Sequence, residues 1–447
     1  MKNTNPIFSL KNFRSFGEEG ADFELAPITV LTGCNSAGKS SLVKALMLLA
    51  KQSQADLPLP TQAARNSGHS EFVGGDLPVS DKQFGLGNIN KVINRISGNG
   101  KIEFSYTVWS AMLNEEVRVI KTFRPAQTNF IPYGELASWR IEKNDGTLLV
   151  EHGEEGNVTD QSVSKFLNVL TTYDDPIRSI LGDAKIKDFY KEVLRDVHFL
   201  SISSESYIDS RSSIIKRLYT IDDDDKLSIT LRRLSERVRG FDEYGRREGL
   251  DENYHILPLS FVNRWIHQFG LCDEVEVEME DDEGLGIYLY LRKGEERYLL
   301  ADEGYGITQL LTLLLHIDNC LPNYSLNNRK PQWICVEEPE VHLHPKYQSL
   351  LADMFVEAYQ KYNIHFIIET HSEYLIRKLQ VMVADKENKL TPNDVSLNYV
   401  DKDENGISTN RKINILEDGR LSEPFGPGFF DEADSLAMNL MKYKVRR

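Results

Sequence analysis

Eight residues near the start of the chain have the spacing of a phosphate-binding loop. The segment from Gly33 to Ser40 reads GCNSAGKS and fits G-x-x-x-x-G-K-S/T. Its glycines let the backbone curl around phosphate oxygens, with amides pointing inward at a helix N-terminus. Lys39 can reach the β and γ phosphates, and the Ser40 hydroxyl can hold Mg²⁺. The segment predicts that nucleotide phosphates contact Gly33, Asn35, Ser36, Ala37, Gly38, Lys39, Ser40 and Ser41.

The flanks of this segment supply the elements that the chemistry needs. Residues 28–31 are apolar or β-branched, as in a buried strand, and residues 41–49 are rich in helix formers. A glycine-rich turn before a helix, without any ligand, is the alternative interpretation. The lysine, the hydroxyl and both flanks favour the phosphate-binding interpretation.

A second cluster of chemically capable residues lies three hundred residues downstream. Residues 333–336 form an apolar run that ends in two acids, Glu337 and Glu338. This is typical of a Walker B strand, whose carboxyl end faces the ligand crevice of an α/β sheet. Glu337 would orient Mg²⁺ directly or through water, and Glu338 would polarise the attacking water.

Histidines follow the paired acids at two places. His371 comes just after the apolar run of residues 364–368, where it could reach a γ-phosphate; a surface or core histidine is the alternative. His342 and His344 alternate within the loop after the acids and could face one metal ion. No further ligand cluster accompanies His342 and His344, so packing of this loop against the sheet or a neighbouring subunit is favoured over a metal site.

Upstream of the acids, small residues open an apolar helix over residues 309–320. Gly304, Gly306 and Thr308 precede or begin this helix. A helix N-terminus has free amides and the positive end of the helix dipole, so it can bind phosphate.

The order of these motifs resembles the ATPases of the ABC superfamily, on the side of SMC, RecF and OLD-type proteins. The resemblance covers residues 5–50 and 300–375, with residues 304–309 similar to the signature motif and 339–345 to the D-loop. More narrowly, the chain is similar to stand-alone bacterial ATPases of the AAA-15/AAA-21 type. Residues 425–432 resemble the end of members that carry a DUF3696 region. Several relatives are ATPase subunits of phage-defence systems such as PARIS and Septu.

The resemblance implies an α/β fold with an ABC-type P-loop core, a mixed sheet and an inserted, mainly helical lobe. It implies that two copies sandwich two ATP molecules head-to-tail, with Gly304, Gly306 and Thr308 of one copy capping the γ-phosphate held by the other. Mg²⁺ would be held by Ser40 and Glu337, and Glu338 and His371 would be catalytic. The nucleotide state would control a protein effector; a DNA-clamping repair or chromosome ATPase is the alternative.

Four departures qualify the resemblance. Thr308 replaces the usual signature serine, and Glu337 replaces the usual Walker B aspartate; each keeps the functional group. A Q-loop glutamine is not identifiable. The 76 residues after His371 are too few for the Toprim domain of OLD nucleases, so nuclease activity is not expected.

Composition limits the classes of partner. The chain has 447 residues, 27% of them charged, and a net charge of -16, which argues against a protein coated in nucleic acid. A local basic stripe that binds nucleic acid is an alternative, with arginines at 232, 233, 237, 239, 246 and 247.

Four cysteines without zinc-site spacing predict free thiols in a reducing cytoplasm. Neither a signal peptide nor a membrane span is predicted.

The organisation predicted from these motifs has three parts. Residues 1–95 and 273–447 form the two halves of the ATPase core, and residues 96–272 are the inserted lobe. Residues 23–31 are predicted as one strand after a first strand over residues 8–13, and residues 225–239 as a helix. Paired strands are predicted at 101–109 with 116–123, at 274–279 with 287–291, and at 395–400 with 407–415.

Overall fold

A computed structural model describes most of the chain. The described residues are 5–55, 77–79, 85–96, 100–125, 134–152, 176–194, 197, 199, 207–208, 259–280, 286–300, 305–321, 331–426 and 428–444. They belong to two compact units, one made of Met1–Ser204 with Thr391–Arg447 and the other of Glu205–Leu390.

The described residues form fifteen strands and nine α-helices. The strands are β1 Ile7–Lys11, β2 Ala21–Glu24, β3 Ile28–Gly33, β4 Ile102–Ser110, β5 Glu115–Pro125, β6 Gly134–Lys143, β7 Leu148–His152, β8 Tyr207–Ile208, β9 Glu274–Glu280, β10 Gly286–Lys293, β11 Glu296–Leu299, β12 Gln332–Glu337, β13 Ile364–Glu369, β14 Val395–Lys402 and β15 Ser408–Ile413. The helices are α1 Lys39–Ala55, α2 Ile89–Val92, α3 Pro176–Leu181, α4 Asp183–Leu194, α5 Ser260–Gln268, α6 Tyr305–Cys320, α7 Pro345–Tyr362, α8 Glu373–Ala384 and α9 Glu432–Lys444.

The first unit contains a large antiparallel sheet with the order β2-β1-β4-β5-β6-β7. The pairing of β4 with β5, in which Ile102 lies opposite Phe123, confirms the predicted strand pair. One face of this sheet buries aromatic residues, with the Phe13 and Phe104 rings 5.3 Å apart in an edge-on contact. Aromatic rings carry much of the buried apolar area in such a core, and edge-on packing is a favoured geometry.

The phosphate-loop strand lies in a separate part of the same unit. All six residues of β3 are buried, as expected for a strand covered on both faces. Strand β14 runs parallel to β3 along the whole length of β3, from Val395 opposite Ile28 to Val400 opposite Gly33. Strand β15 pairs antiparallel with β14, which confirms the hairpin predicted near the C-terminus.

The prediction of one strand over residues 23–31 is wrong. The structure has two strands, β2 and β3, separated at Leu25–Pro27. The Leu25 amide donates to the Pro6 carbonyl at 2.8 Å, and Pro27 has no N–H with which to continue a ladder. The break sends β2 to pair with β1 while β3 pairs with β14.

The second unit contains a parallel set of strands and an antiparallel one. Strands β13, β12 and β8 lie side by side in parallel, and helices α7 and α8 flank β13 in the chain. Strands β9, β10 and β11 form the antiparallel set, which confirms the predicted hairpin at 274–291. The acidic side chain of Glu276 faces Arg292 at 3.2 Å and Arg297 at 2.9 Å, so this strand face carries ion pairs.

Two predictions from the sequence fall largely beyond these elements. The helix over residues 225–239 and the six arginines lie outside the described residues. Of the lobe predicted over residues 96–272, the described parts are strands β4 to β8, helices α3 to α5 and a few residues around them.

Candidate nucleotide site

The predicted phosphate loop joins the buried end of β3 to the start of α1. Its backbone has positive φ at three positions, Gly33 (129°), Ser36 (60°) and Gly38 (108°). A Cβ placed on Gly33 would lie 2.0 Å from the Val400 carbonyl oxygen. Glycine is therefore required at Gly33 both by its dihedral angle and by the close approach of β14.

The lysine of the loop is buried within it. Lys39 is 3% exposed, and its Nζ donates to the carbonyl oxygens of Gly33 at 3.2 Å and Cys34 at 2.9 Å. The ammonium group is therefore held inside the concave side of the loop. Phosphate oxygens carry full charge and accept stronger hydrogen bonds than carbonyls, so the position suits an anion.

The first turn of α1 completes this half of the site. The helix begins at Lys39 and has no acidic residue in its first turn. Ser40 is half-buried, and Ser41 is buried with its amide donating to the Gly38 carbonyl at 2.9 Å. Free amides and the helix dipole favour negative charge at such an end. These features together fit a nucleotide phosphate group.

The paired acids lie where the sequence predicts, at the carboxyl end of β12. Glu337 is the last residue of the strand and lies opposite Glu369 of β13. Glu338 follows with φ 44°, a left-handed conformation that costs free energy for a residue with a Cβ. Its amide donates to the Glu369 carbonyl at 2.7 Å, which fixes the turn and points the chain away from the strand.

The structure brings Glu338 and His371 together at the ends of these two strands. Nε2 of His371 lies 4.0 Å from Oε1 of Glu338, and the two side chains are 34% and 38% exposed. Both therefore reach solvent on the same edge of the second unit. A carboxylate beside an imidazole at this position can accept a proton from water and stabilise developing charge.

A buried acid connects the two loops that carry this pair. Oε1 of Glu340 accepts a hydrogen bond from the His371 amide at 2.6 Å. Burial raises the pKa of the Glu340 carboxyl, although the hydrogen bond from the His371 backbone acts in the opposite direction. Glu340 therefore holds the histidine loop against the loop after β12.

The loop between Glu338 and α7 is a pair of consecutive turns. The Val341 amide donates to the Glu338 carbonyl at 3.2 Å, and the Leu343 amide donates to the Glu340 carbonyl at 3.0 Å. The ring of His344 accepts from the Lys346 amide and caps α7. Among the described residues, no cluster of three or more His, Cys, Asp or Glu could hold a metal ion. The contact that the structure gives the His344 ring is this helix cap.

The glycine-led helix α6 approaches the same loop. A Cβ on Gly306 would lie 2.8 Å from the His342 carbonyl oxygen, so the two backbones nearly touch. Nε2 of Gln309 donates to the Glu338 carbonyl at 3.2 Å. Gly304 lies outside the described residues, and Thr308 is 2% exposed. In this conformation the Thr308 side chain is therefore enclosed by its own chain.

Several contacts of the site were not predicted from the sequence. Ser408 of β15 donates its hydroxyl to the Ala37 carbonyl in the phosphate loop, and the Val400 carbonyl of β14 lies beside Gly33. Both come from the C-terminal hairpin, which has no phosphate-binding motif of its own. Gln52 of α1 accepts a hydrogen bond at 2.6 Å from the buried amine of Lys121.

One family model covers both the phosphate loop and the segment with the paired acids. A family model described as "AAA domain, putative AbiEii toxin, Type IV TA system" matches residues 28–377. The chain belongs to this family, AAA-21. It is a P-loop ATPase of mixed α/β fold that binds nucleotide. A second model, the DUF3696 region of unknown function, matches residues 390–440 of this AAA-21 protein.

Solved structures similar to this AAA-21 protein include heads of SMC proteins. They include the Smc head bound to the C-terminal winged-helix domain of ScpA, with 12% identity over 92% of this chain and 98% of that chain, and a TM-score of 0.49. The Smc head of Pyrococcus furiosus, bound to a domain of ScpA, has 13% identity, coverage of 99% and 100%, and a TM-score of 0.45. The SMC head domain of Thermotoga maritima has 13% identity, coverage of 91% and 97%, and a TM-score of 0.39.

No curated protein matches the chain. Within the part of the chain that the structure describes, no helix has the length and apolar character needed to cross a membrane.

Proposed function

We propose that this AAA-21 protein hydrolyses ATP between two copies of the chain and uses the nucleotide state to control a protein partner. The observation that carries the proposal is the pairing of Glu338 with His371 at the ends of adjacent parallel strands. In an ATPase, a carboxylate beside a histidine can activate the attacking water. The phosphate loop supplies the binding site for the nucleotide phosphates.

The phosphate side of the proposed site belongs to the loop before α1. Its backbone from Gly33 to Ser41 binds the phosphates, and Lys39 neutralises their charge. Ser40 and Glu337 would hold Mg²⁺, which would supply charge neutralisation at the phosphates. A single family domain spans residues 28–377 and so includes both the phosphate loop and the acids.

The chemical step rests on Glu338 and His371. Glu338 accepts a proton from the attacking water, and its left-handed backbone holds the carboxylate at the strand end. His371 donates a hydrogen bond to charge that develops on the phosphoryl group. Glu340 does not contact the reacting atoms in this proposal; it positions His371 through the 2.6 Å hydrogen bond to the His371 amide.

The second copy contributes the N-terminus of α6 in the proposed dimer. Gly304, Gly306 and Thr308 cap the γ-phosphate held by the partner chain. Because Thr308 is 2% exposed here, this role requires the first turn of α6 to shift on dimerisation. The hydrogen bond from Gln309 to the Glu338 carbonyl would couple such a shift to the catalytic loop of the same chain.

The partner of the proposed switch is a protein effector in antiviral defence. The family description names a toxin and a toxin–antitoxin system, which supports a role in a paired defence system. Residues 96–272, proposed as an inserted lobe, would carry the change from the nucleotide site to that effector.

A Glu338→Gln variant tests the dimer because it removes the base and keeps the side-chain size. We expect its mass, measured by light scattering after size exclusion, to double in the presence of ATP and Mg²⁺. Lys39→Ala is the control and should stay at the same mass with and without nucleotide. A Glu338→Gln protein that binds ATP and keeps one mass under both conditions would contradict the nucleotide-dependent dimer.

The partner is tested with the same two variants expressed in the native host. The ATP-locked Glu338→Gln protein should retain an effector that Lys39→Ala does not retain. Retention of DNA in place of protein, sensitive to nuclease and to salt, would contradict the effector assignment and favour the clamp.

A further inference from the structure

The C-terminal hairpin, formed by β14 and β15, reaches the phosphate loop with one buried hydroxyl. Ser408 is the first residue of β15 and is 1% exposed. Its hydroxyl donates to the carbonyl of Ala37, which is also 1% exposed and lies 371 positions away in the chain. Because Ser408 falls within residues 390–440, the DUF3696 region supplies a direct hydrogen bond to the loop.

This hydrogen bond fixes the direction of one peptide group of the loop. The peptide between Ala37 and Gly38 is trans, so its carbonyl and its N–H point to opposite sides of the chain. Because the Ala37 carbonyl points to Ser408, the Gly38 N–H points away from the hairpin. The Ala37 amide is fixed as well, since it donates to the Cys34 carbonyl at 3.2 Å. Ser408 therefore sets the orientation of a peptide whose N–H is among the phosphate donors of the motif.

The space on the hairpin side of Gly38 is filled. A Cβ on Gly38 would lie 2.9 Å from the Ser408 hydroxyl oxygen and 2.5 Å from the Ser15 hydroxyl oxygen. The Ser408 amide donates to the Ser15 carbonyl at 2.8 Å, which holds these two residues together. Both hydroxyl groups therefore pack directly against Gly38 and leave no room for a side chain there.

An exposed turn sets the position of Ser408 at the start of β15. The turn joins β14 to β15 through residues 403–407. Oδ1 of Asp403 accepts hydrogen bonds from the Asn405 amide at 2.9 Å and the Ile407 amide at 2.8 Å. An aspartate that accepts from amides a few residues ahead stabilises the conformation of a turn. Because Ser408 follows Ile407 directly, Asp403 helps to determine where the Ser408 hydroxyl lies.

We propose that Ser408 is a positioning residue of the phosphate loop, which holds the Gly38 amide towards the nucleotide phosphates. The proposal rests on the proposed role of this loop in binding ATP. Ser408 does not touch the phosphates in this proposal; it acts through the Ala37 carbonyl. A donor that is already fixed loses less conformational freedom when its ligand binds, so the hydrogen bond raises the affinity by preorganisation. The hairpin of the DUF3696 region is therefore part of the nucleotide site.

Ser408→Ala removes the hydroxyl and leaves the backbone of β15 unchanged. We expect the Kd for a fluorescent ATP analogue, measured with Mg²⁺, to rise about 3- to 10-fold, the scale of one hydrogen bond. The KM for ATP should rise by the same factor with kcat nearly unchanged, because phosphate binding and not the chemical step is affected. An unchanged Kd in Ser408→Ala would overturn the proposal.

Ser110→Ala is the matched control for the loss of a buried hydroxyl. Ser110 lies in β4 of the same unit, is 0% exposed, and donates to Oε2 of Glu192 at 2.8 Å. Both variants lose a buried hydrogen bond, so both should unfold at a lower urea concentration than wild type. Only Ser408→Ala should change the Kd. An equal rise of the Kd in Ser110→Ala would show a general loss of stability and would overturn the positioning role.

Asp403→Ala tests the same path from an exposed position. We expect a smaller rise of the Kd than in Ser408→Ala. In the double variant the turn has no hydroxyl left to position, so its Kd should match that of Ser408→Ala alone. Asp145→Ala is the control and should keep the wild-type Kd, since Asp145 is also exposed and accepts from the Thr147 amide at 2.9 Å between β6 and β7. Additive effects of Asp403→Ala and Ser408→Ala would overturn the path through the turn.

Lys39→Ala distinguishes failure of this proposal from failure of the proposed function. If Lys39→Ala loses ATP binding while Ser408→Ala keeps the wild-type Kd, the nucleotide site stands and Ser408 has no part in it. If Lys39→Ala binds ATP with the wild-type Kd, the loop is not the binding site and both proposals fail.

Discussion

Nε2 of His371 and Oε1 of Glu338 lie 4.0 Å apart, although the two residues are separated by the whole of α7 and β13 in the chain. The distance is too long for a direct hydrogen bond. The parallel pairing of β12 with β13 sets this separation.

Replacement of His371 by alanine should lower kcat of the ATPase about 100-fold, the scale of one general acid–base or hydrogen-bonding group. KM should change by less than about 3-fold, since the histidine acts in the transition state and not in binding. Steady-state phosphate release measures both. His267→Ala, at the exposed end of α5, is the control and should behave as wild type. Equal kcat in the two variants would remove His371 from the mechanism.

Gly33→Ala should destabilise the first unit severely. Its Cβ would lie 2.0 Å from the Val400 carbonyl, so β3 and β14 would have to separate. We expect a loss of about 3 kcal/mol or more in the free energy of unfolding, measured by urea titration. Gly146→Ala provides the comparison, because Gly146 also has positive φ (84°) but nothing within 4 Å of its Cβ. Its cost should be only the strain of about 1–2 kcal/mol. Equal losses would show that close approach to β14 is unimportant.

The stability of the protein should depend on pH through Glu340. Burial raises the pKa of Glu340 above 4.5, so the folded state binds its proton more tightly than the unfolded state does. The free energy of unfolding therefore falls as pH rises from about 4.5 through the folded pKa. Glu340→Gln should remove this part of the slope in urea titrations at successive pH values. Glu387→Gln, at an exposed position, should keep the wild-type slope. A Glu340→Gln protein that also kept the wild-type slope would contradict the assignment of this slope to the buried Glu340 carboxyl.

Ser372→Ala should destabilise α8 and loosen the histidine loop. The Ser372 hydroxyl accepts from the Leu375 amide at 3.2 Å and donates to Oε1 of Gln348 at 2.7 Å. Loss of an N-cap and a buried hydrogen bond costs about 1–3 kcal/mol. Ser349→Ala removes an exposed hydroxyl that donates to the Lys346 carbonyl and should cost less than about 0.5 kcal/mol. Thermal unfolding of the two variants should therefore separate them clearly, and coincident curves would contradict the capping role.

The parts of the site that follow from local sequence were predicted. The phosphate loop, its strand and helix, and the strand that ends in Glu337 each depend on short-range patterns of glycine, apolar residues and charge. The same holds for the hairpins, whose alternating residues and turns lie close together in the chain. Helix α6 begins at Tyr305, within the glycine-led segment that the sequence assigned to its start.

The contacts made at long range were not predicted. The position of Val400 opposite Gly33 depends on the parallel register of β14 and β3, which have 361 residues between them. The burial of Thr308 depends on how α6 packs, because a helix pattern fixes a face and not its neighbour. The break at Pro27 separates two strands that hydrophobicity alone joins, since the apolar pattern continues through it. The sequence did not predict strands β6 and β7, because their residues lack a clear alternating pattern.

The pairing of β3 with β14 also affects how the protein can be made. A nascent chain in which residues 28–40 have left the ribosome still lacks the strand that flanks the loop, because Val395–Lys402 follows β3 after 361 intervening residues. The phosphate loop therefore cannot reach its final form until β14 has been synthesised. A chain that ends before residue 395 carries the motif but not its support, so only molecules that contain β14 gain the competent loop.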